Sequence, residues 1–272
     1  MPELPEVEIV CRNLSAMISE NEKIKNWLFF RSDLRFKIPK AQLRKIIGVH
    51  LKKIKRRAKY ILFYFGDYIL ISHLGMTGEW RQEAAGWARQ KHDHLAFEMA
   101  KNRFFVYKDP RRFGFIEIIK AQDFNERFKL LGVEPLSDET DFDLLTLKFK
   151  KLKLPIKVAL LNQKLLVGIG NIYASEILFR AGVNPLQLCF KLKSEQYDRI
   201  WSELILVLNT AINKGGSTIE NYRNSFGEKG NFQESFFVYG RSKMMCFKCH
   251  SPIKNIVQAG RSTFWCPNCQ KK

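Results

Sequence analysis

Two cysteine pairs near the end of the chain constrain its fold more than any other feature. Cys246-Phe-Lys-Cys249 and Cys266-Pro-Asn-Cys269 are separated by sixteen residues. Each pair can form a tight turn that directs two sulfurs to one point, and the segment between them has room for a hairpin. Four thiolates complete a tetrahedron around one zinc ion, so we predict a structural metal site. A pair of redox dithiols is the alternative that the spacing leaves open.

The charge balance indicates a polyanionic partner. The 272 residues include 46 Lys and Arg against 27 Asp and Glu, a net charge of +19. Such an excess repels itself in a compact fold unless a partner neutralises it. The segment from Arg35 to Lys59 holds eleven basic residues and no acidic one. Nucleic acid is the first candidate partner, and an anionic membrane is second because no run approaches about 18 apolar residues.

The N-terminal residues do not resemble an export signal. Met1-Pro-Glu-Leu-Pro-Glu6 is acidic and lacks both a basic and an apolar region. We therefore expect no signal peptide, and reduced thiols instead of a disulfide framework.

The apolar pattern changes from helical to strand-like and back along the chain. Apolar residues at helical spacing predict a first helix from Pro5 to Ser19. Short segments rich in β-branched and aromatic residues then predict a β-sandwich. Its predicted strands are Leu51–Arg57, Tyr60–Phe65, Tyr68–Ser72, Leu95–Met99, Arg103–Lys108 and Gly114–Ile119.

Helical spacing returns after Phe124. The predicted helices are Leu144–Leu152, Ile156–Leu161, Ile172–Ala181 and Glu195–Asn213. The segment Ser217–Phe232, rich in Gly, Asn and Ser, is predicted to be a loop. We therefore expect an α+β chain with three domains: a β-sandwich with a leading helix (1–130), a helical domain (131–240) and a zinc-ribbon hairpin (241–272).

Six motifs occur in order along the chain. They are Pro2–Glu8, Arg57–Tyr60, His73–Gly78, Asp109–Gly114, Gly168–Glu176 and the four-cysteine module. Together they resemble the formamidopyrimidine-DNA glycosylases, and the resemblance covers essentially the whole chain. It implies a helix–two-turn–helix in the helical domain. It also implies a bifunctional DNA glycosylase and abasic-site lyase that removes oxidised purines such as 8-oxoguanine and formamidopyrimidines.

The resemblance implies that Pro2 is the nucleophile, once Met1 has been removed. An α-amino group has a reference pKa of about 7.7–8.0, so part of it is unprotonated near neutrality. Attack by this secondary amine on C1′ gives an iminium ion, from which β,δ-elimination of the phosphates follows. The resemblance also implies that Glu3 is the general acid/base and that Glu6 orients this end. Lys59 and Arg261 are implied to assist the chemistry.

The resemblance further implies how the duplex is contacted. Met76, Arg111 and Phe113 are implied to fill the gap that an everted nucleotide leaves. The residues alone leave open whether Met76 and Phe113 instead pack into the core. The loop at 217–232 is implied to cover the lesion. The remaining implied DNA contacts are His73, His92, Arg112, Lys157, Asn171, Tyr173, Tyr239 and Arg261.

Three alternative functions remain to be weighed against this one. They are repair of oxidised pyrimidines by an endonuclease VIII-like enzyme, catalytically silent DNA binding on the same fold, and RNA binding by a zinc-ribbon protein. The preferred prediction is a monomer with one Zn²⁺ that acts on double-stranded DNA in the bacterial cytoplasm, without membrane contact.

Overall fold

The computed structural model describes residues 1–217 and 230–271, so positions 218–229 of the predicted loop lie outside the described residues. The chain divides into two compact units. The first contains Met1–Lys129 and Lys214–Asn231, and the second contains Leu130–Asn213 and Phe232–Lys272. The three predicted domain boundaries stay a prediction.

The first unit is built on two four-stranded antiparallel sheets and a leading helix, α1 (Leu4–Met17). One sheet has the strand order β1-β6-β7-β5 and the other the order β2-β3-β4-β8. The strands are β1 (Asn26–Phe29), β2 (Leu51–Arg57), β3 (Tyr60–Phe65), β4 (Tyr68–His73), β5 (Glu79–Glu83), β6 (Asp93–Glu98), β7 (Phe104–Lys108) and β8 (Phe115–Lys120). Two short helices, α2 (Lys40–Leu43) and α3 (Phe124–Phe128), complete the unit. The predicted β-sandwich with a leading helix is confirmed.

Two strands of the sandwich lack the pattern that identified the others. β5 has the sequence Glu-Trp-Arg-Gln-Glu, in which only Trp80 is buried. β1 has four residues, and Trp27 alone is fully inside. Each strand is held by antiparallel pairing, β1 with β6 and β5 with β7. Their strand structure therefore depends on the neighbouring strand more than on local propensity.

Aromatic side chains fill the core of the first unit. The ring of Trp80 lies 5.4 Å from that of Phe97 and 5.1 Å from that of Tyr107. Phe97 also stacks on Phe105 at 5.2 Å and meets Phe63 edge-on at 6.2 Å. These offset and edge-to-face geometries stabilise aromatic pairs beyond the area they bury.

The second unit contains the predicted helices and the cysteine hairpin. Its helices are α4 (Phe142–Lys150), α5 (Ile156–Leu160), α6 (Asn171–Arg180) and α7 (Ser194–Asn213). Strands β9 (Lys254–Gln258) and β10 (Arg261–Trp265) pair antiparallel as the hairpin. The helical domain and the hairpin of the predicted fold class are thereby confirmed. None of the helices in the described ranges is long and apolar enough to cross a bilayer.

The aromatic core predicts how the first unit responds to truncation. Phe97→Ala removes a fully buried ring, and we expect it to lower the free energy of unfolding by about 3–5 kcal/mol because a cavity remains. Phe36→Ala removes a ring that is 58% exposed and should cost about 1 kcal/mol or less. Urea unfolding followed by tryptophan fluorescence measures both changes. Equal losses in the two variants would contradict this account of the core.

Candidate functional site

The start of α1 is held by one carboxylate. The Glu6 side chain accepts a hydrogen bond from the Glu3 backbone N–H at 2.9 Å. Its other oxygen accepts from the Ser217 backbone N–H at 2.7 Å and from the Ser217 hydroxyl at 2.9 Å. Pro2, Glu3 and Glu6 are all buried. Glu6 therefore fixes the backbone that carries the predicted nucleophile and joins it to the chain just before position 218.

A glycine makes this junction possible. Gly216 has a φ of +77°, and a Cβ there would lie 3.1 Å from Glu6 Oε1. Both the left-handed backbone and the close approach favour glycine.

Lys59 lies in the two-residue turn between β2 and β3. Ala58 takes the left-handed φ of +53° that this tight turn requires. The Arg56 side chain donates to Glu8 on α1 at 3.0 Å and to the Ala58 carbonyl at 3.0 Å. The Lys59 side chain is buried. This bonding connects the turn that carries Lys59 to the first turns of α1.

Met76 and Phe113 project from two neighbouring loops. Met76 is 38% exposed and Phe113 is 45% exposed. The Arg111 guanidinium lies 4.8 Å from the centre of the Phe113 ring. The sequence left open whether Met76 and Phe113 pack into the core. The structure shows that they do not. An open pocket of about 720 Å³ lies beside these side chains, with Asp33 and Arg35 also in its lining.

His73 supports the Met76 loop from below. Its Nδ1 accepts the Gly75 backbone N–H at 3.0 Å, and its ring stacks on Phe115 at 5.3 Å. Burial, and then the positive charge of Lys59, lower the pKa of His73 to about 4. The ring is therefore neutral near pH 7 and keeps the acceptor that Gly75 needs.

Asp109 is a site residue that the sequence analysis did not single out. Its carboxylate accepts from the Thr77 hydroxyl at 2.5 Å and from the Gly114 backbone N–H at 2.8 Å. Its own backbone N–H donates to the His92 carbonyl at 3.1 Å, which places His92 beside the loop. Arg112 follows in this loop with an exposed side chain and a φ of +57°. The signal in the sequence was an acidic residue directly before Pro-Arg-Arg-Phe-Gly.

In the second unit, Lys157 lies inside the protein instead of on its surface. Its ammonium donates to Asn171 Oδ1 at 2.6 Å, to the Ser262 carbonyl at 2.9 Å and to the Thr263 hydroxyl at 2.8 Å. Asn171, the first residue of α6, also donates to the Ser262 carbonyl at 2.9 Å. Lys157 on α5 thus connects the start of α6 to the β10 strand of the hairpin.

The two tyrosines predicted to contact DNA lie in different environments. Tyr173 is fully buried, with its ring 5.6 Å from that of Phe232. Tyr239 is half-buried, and its ring meets Phe264 edge-on at 5.2 Å. Its backbone N–H donates to the buried carboxylate of Glu176 at 2.9 Å.

The glycine segment before α6 depends on Gln163, which the sequence analysis also missed. The Gln163 amide accepts from the Gly168 N–H at 2.8 Å and donates to the Ile169 carbonyl at 2.9 Å. Gly168 has a φ of +81°. No short-range pattern links a glutamine to a turn five residues later, so only the structure reveals this contact.

The four cysteines of the hairpin converge on one point. The sulfurs of Cys246, Cys249, Cys266 and Cys269 all lie within 4.8 Å of one another. A zinc ion with Zn–S bonds of about 2.3 Å at tetrahedral angles holds its sulfurs about 3.8 Å apart, and the sulfurs of Cys246 and Cys269 lie at 3.8 Å. Gln270 supports the site, because it accepts from the Cys266 N–H at 2.9 Å and donates to the Val183 carbonyl at 2.8 Å.

Arg261 lies at the exposed tip of the same hairpin. It is the first residue of β10 and pairs with Gln258 across the turn. Gly260, which precedes it, has a φ of +72° and open space around it.

Comparison with known proteins agrees with this geometry over the whole chain. Residues 1–116 match the model of the formamidopyrimidine-DNA glycosylase N-terminal domain. Residues 131–223 match the formamidopyrimidine-DNA glycosylase H2TH domain. The chain belongs to the formamidopyrimidine-DNA glycosylase family. Residues 246–272 match a zinc finger found in FPG and IleRS, so the four cysteines bind one structural zinc ion.

Individual relatives extend over nearly the full length. The formamidopyrimidine-DNA glycosylase of Bdellovibrio bacteriovorus is 41% identical over 271 residues and covers 100% of both chains. The Lactococcus lactis Fpg, solved with abasic-site DNA, superposes with a TM-score of 0.92 at 36% identity and covers 99% of this chain and 100% of that one. A MutM solved with DNA containing carbocyclic 8-oxo-G has a TM-score of 0.91 at 36% identity, with 100% of both chains covered.

The lowered pKa of His73 predicts a pH-dependent stability of the first unit. Unfolded histidine titrates near 6.5, whereas His73 in the fold titrates at about 4. Between these values the unfolded chain binds more protons, so the free energy of unfolding falls as the pH falls. His73→Asn keeps an acceptor for Gly75 and does not titrate. We expect the wild type to lose on the order of 2 kcal/mol more than this variant between pH 6.5 and 4, measured by urea unfolding. Parallel curves would refute this assignment.

The zinc site predicts a selective effect of removing one ligand. Cys266→Ser should lose the metal and weaken binding to duplex DNA, because the hairpin that presents Arg261 unfolds without it. Cys189→Ala removes a buried cysteine of the same unit that is outside the cluster and should keep one zinc per chain. Inductively coupled plasma mass spectrometry and fluorescence anisotropy measure metal and affinity. Unchanged affinity in the metal-free variant would show that the hairpin does not contribute to binding.

Proposed function

We propose that this protein excises oxidised purines from double-stranded DNA and then cleaves the strand at the abasic site. One observation carries the proposal: the first unit combines a rigidly held Pro2–Glu3 start with exposed Met76, Arg111 and Phe113. Family membership and relatives solved with abasic-site and 8-oxo-G DNA support the same activity.

The chemistry begins when removal of Met1 leaves the Pro2 secondary amine free. Its nitrogen attacks C1′ of the damaged nucleotide, the C1′–N9 bond breaks, and the purine leaves with the proton that the amine gives up. The C1′–O4′ bond of the sugar then opens, O4′ takes a proton, and the nitrogen lone pair forms an iminium with C1′. The resulting iminium keeps its positive charge without losing a proton, so it accepts electrons from the C2′–H bond when the 3′ phosphate is eliminated. A second elimination releases the 5′ phosphate, and hydrolysis of the Pro2 adduct restores the enzyme.

Buried residues near Pro2 are proposed to transfer protons and to orient groups during these reaction steps. Glu3 is adjacent to the nucleophile and is the proposed proton donor to the opening sugar ring. Glu6 holds the Glu3 backbone and has the proposed role of orienting this end. Lys59, on the turn beside α1, is proposed to contact the phosphate or the lesion and to assist the chemistry.

Reaching C1′ requires the nucleotide to leave the stack, at a cost of a few kcal/mol. Met76 and Phe113 are exposed apolar side chains of the kind that wedge between bases. Arg111, held over the Phe113 ring, is proposed to donate hydrogen bonds to the base left without a partner.

Binding to the backbone of the duplex is assigned to basic and polar groups. Asn171 at the start of α6 and Arg261 at the hairpin tip are proposed to bind phosphates. Arg261 is also proposed to assist elimination. Lys157 is proposed to act by orienting Asn171, since its ammonium is occupied inside the unit. The further proposed contacts are His73, His92, Arg112, Tyr173 and Tyr239.

We also propose that the protein acts as a monomer on bacterial DNA in the cytoplasm. The bacterial origin of its relatives supports the setting. The three domains with boundaries at 130 and 240 are part of the same proposal.

Trapping with borohydride tests the nucleophile. Reduction of the iminium should join protein lacking Met1 to an 8-oxoguanine duplex, with the attachment mapped to Pro2 by mass spectrometry. Pro2→Gly should bind the duplex but cleave it at least about tenfold more slowly, because a primary amine gives an imine that must be protonated. Protein that retains Met1 should form no adduct. Full cleavage by protein that retains Met1 would rule out Pro2 as the nucleophile. Preferential trapping on an oxidised pyrimidine would show that oxidised pyrimidines, and not oxidised purines, are the preferred substrate.

A further inference from the structure

The buried carboxylate of Asp109 connects the two loops that carry the exposed side chains of Met76 and Phe113. One oxygen accepts from the hydroxyl of Thr77, the residue after Met76, at 2.5 Å. The other accepts from the backbone of Gly114, the residue after Phe113, at 2.8 Å. Asp109 is fully buried, and such a carboxylate is tolerated only where donors replace its water.

The Thr77 hydroxyl makes a second contact that involves Arg111. It accepts the Arg111 backbone N–H at 3.1 Å while donating to Asp109. One hydroxyl therefore fixes the backbone of Arg111 to the loop that carries Met76. The contact is selective, because it controls the main chain of Arg111 and leaves the guanidinium over the Phe113 ring.

The two loops are in direct backbone contact and cannot shift independently. A Cβ on Gly75 would lie 2.3 Å from the Gly114 nitrogen and 2.4 Å from the Phe113 carbonyl carbon. Gly75 also has a φ of +61°. The loops are therefore too close for any side chain between them, and a shift of one loop must displace the other.

We propose that Thr77 and Asp109 are positioning residues that set how strictly the enzyme discriminates the base opposite the lesion. The inference rests on the proposed roles of Met76, Arg111 and Phe113. Hydrogen bonding by an arginine to a base edge depends on its direction as well as its charge. The Thr77 hydroxyl fixes the backbone from which the Arg111 side chain extends. Asp109 in turn fixes the Thr77 hydroxyl by accepting its hydrogen bond.

Thr77→Val tests this role with little change in shape, because a methyl group replaces the hydroxyl. We expect excision of 8-oxoguanine opposite cytosine to fall about tenfold, and the ratio of rates opposite cytosine and opposite adenine to move toward one. Cleavage of single-stranded DNA that already contains an abasic site should fall much less, because no base has to leave a stack. Thr77→Ser keeps the hydroxyl and should restore the ratio.

A purely structural role of Thr77 would slow all substrates equally and leave the ratio unchanged. Retention of the wild-type ratio in folded Thr77→Val would overturn the inference. Hydrogen exchange gives a second test, since the Arg111 amide should lose protection in Thr77→Val and keep it in Thr77→Ser. If Thr77→Val does not fold, Thr77→Ala provides the same comparison.

The same experiment separates this inference from the proposed function. Failure of the wild type to excise 8-oxoguanine, or to form the Pro2 adduct, would refute the proposed function. The positioning role alone would be refuted by two results together. The wild type would excise 8-oxoguanine at clearly different rates opposite cytosine and opposite adenine, and Thr77→Val would show the same ratio of rates.

Discussion

The hydrogen bonds that the Glu6 carboxylate accepts are the interaction on which the catalytic end depends. They hold the Glu3 backbone and Ser217, residues far apart in sequence. Asp109 does the same for two loops of the first unit, and Glu176 for the backbone of residues 237–239 in the second. Burial raises the pKa of Glu176, while those three backbone donors oppose the shift. Each carboxylate accepts hydrogen bonds from main-chain N–H groups in place of water, and Glu6 and Asp109 also accept one from a hydroxyl. These bonds fix a loop in one position.

The acidic and basic residues of this chain therefore have different uses. The chain carries 46 basic residues and 27 acidic ones, and several acids at the site are directed inward to organise the backbone. Exposed basic side chains such as Arg111, Arg112 and Arg261 remain available to a polyanion. Lys59 and Lys157 are buried instead, and the Lys157 ammonium joins α5, α6 and β10. Internal charge thus sets geometry, and external charge provides attraction to DNA.

Local patterns predicted the elements whose physical cause is local. The predicted bounds of β2 and β3 agree with the structure. The β-branched and aromatic residues of β3 and the two-residue turn before it are local signals. β1 and β5 were missed because pairing with a neighbour, and not their own sequence, makes them strands. The roles of Gln163 and Asp109 were not predicted for a related reason. Their partners depend on how loops fold back, which side-chain spacing does not encode.

The sequence by itself determined the zinc ligands, the fold class, the family and the identity of the residues proposed to act. A C-x2-C pair directs its two sulfurs through local structure alone, so spacing identifies the zinc ligands. The order of the six motifs can be read directly from the sequence, so the family can be identified without the fold. Only the tertiary structure decided that Met76 and Phe113 are exposed and that Lys157 is buried. It also decided that Thr77 and Asp109 join the two loops. Burial and long-range hydrogen bonds arise from the packing of segments distant in sequence, so they exist only in the folded protein.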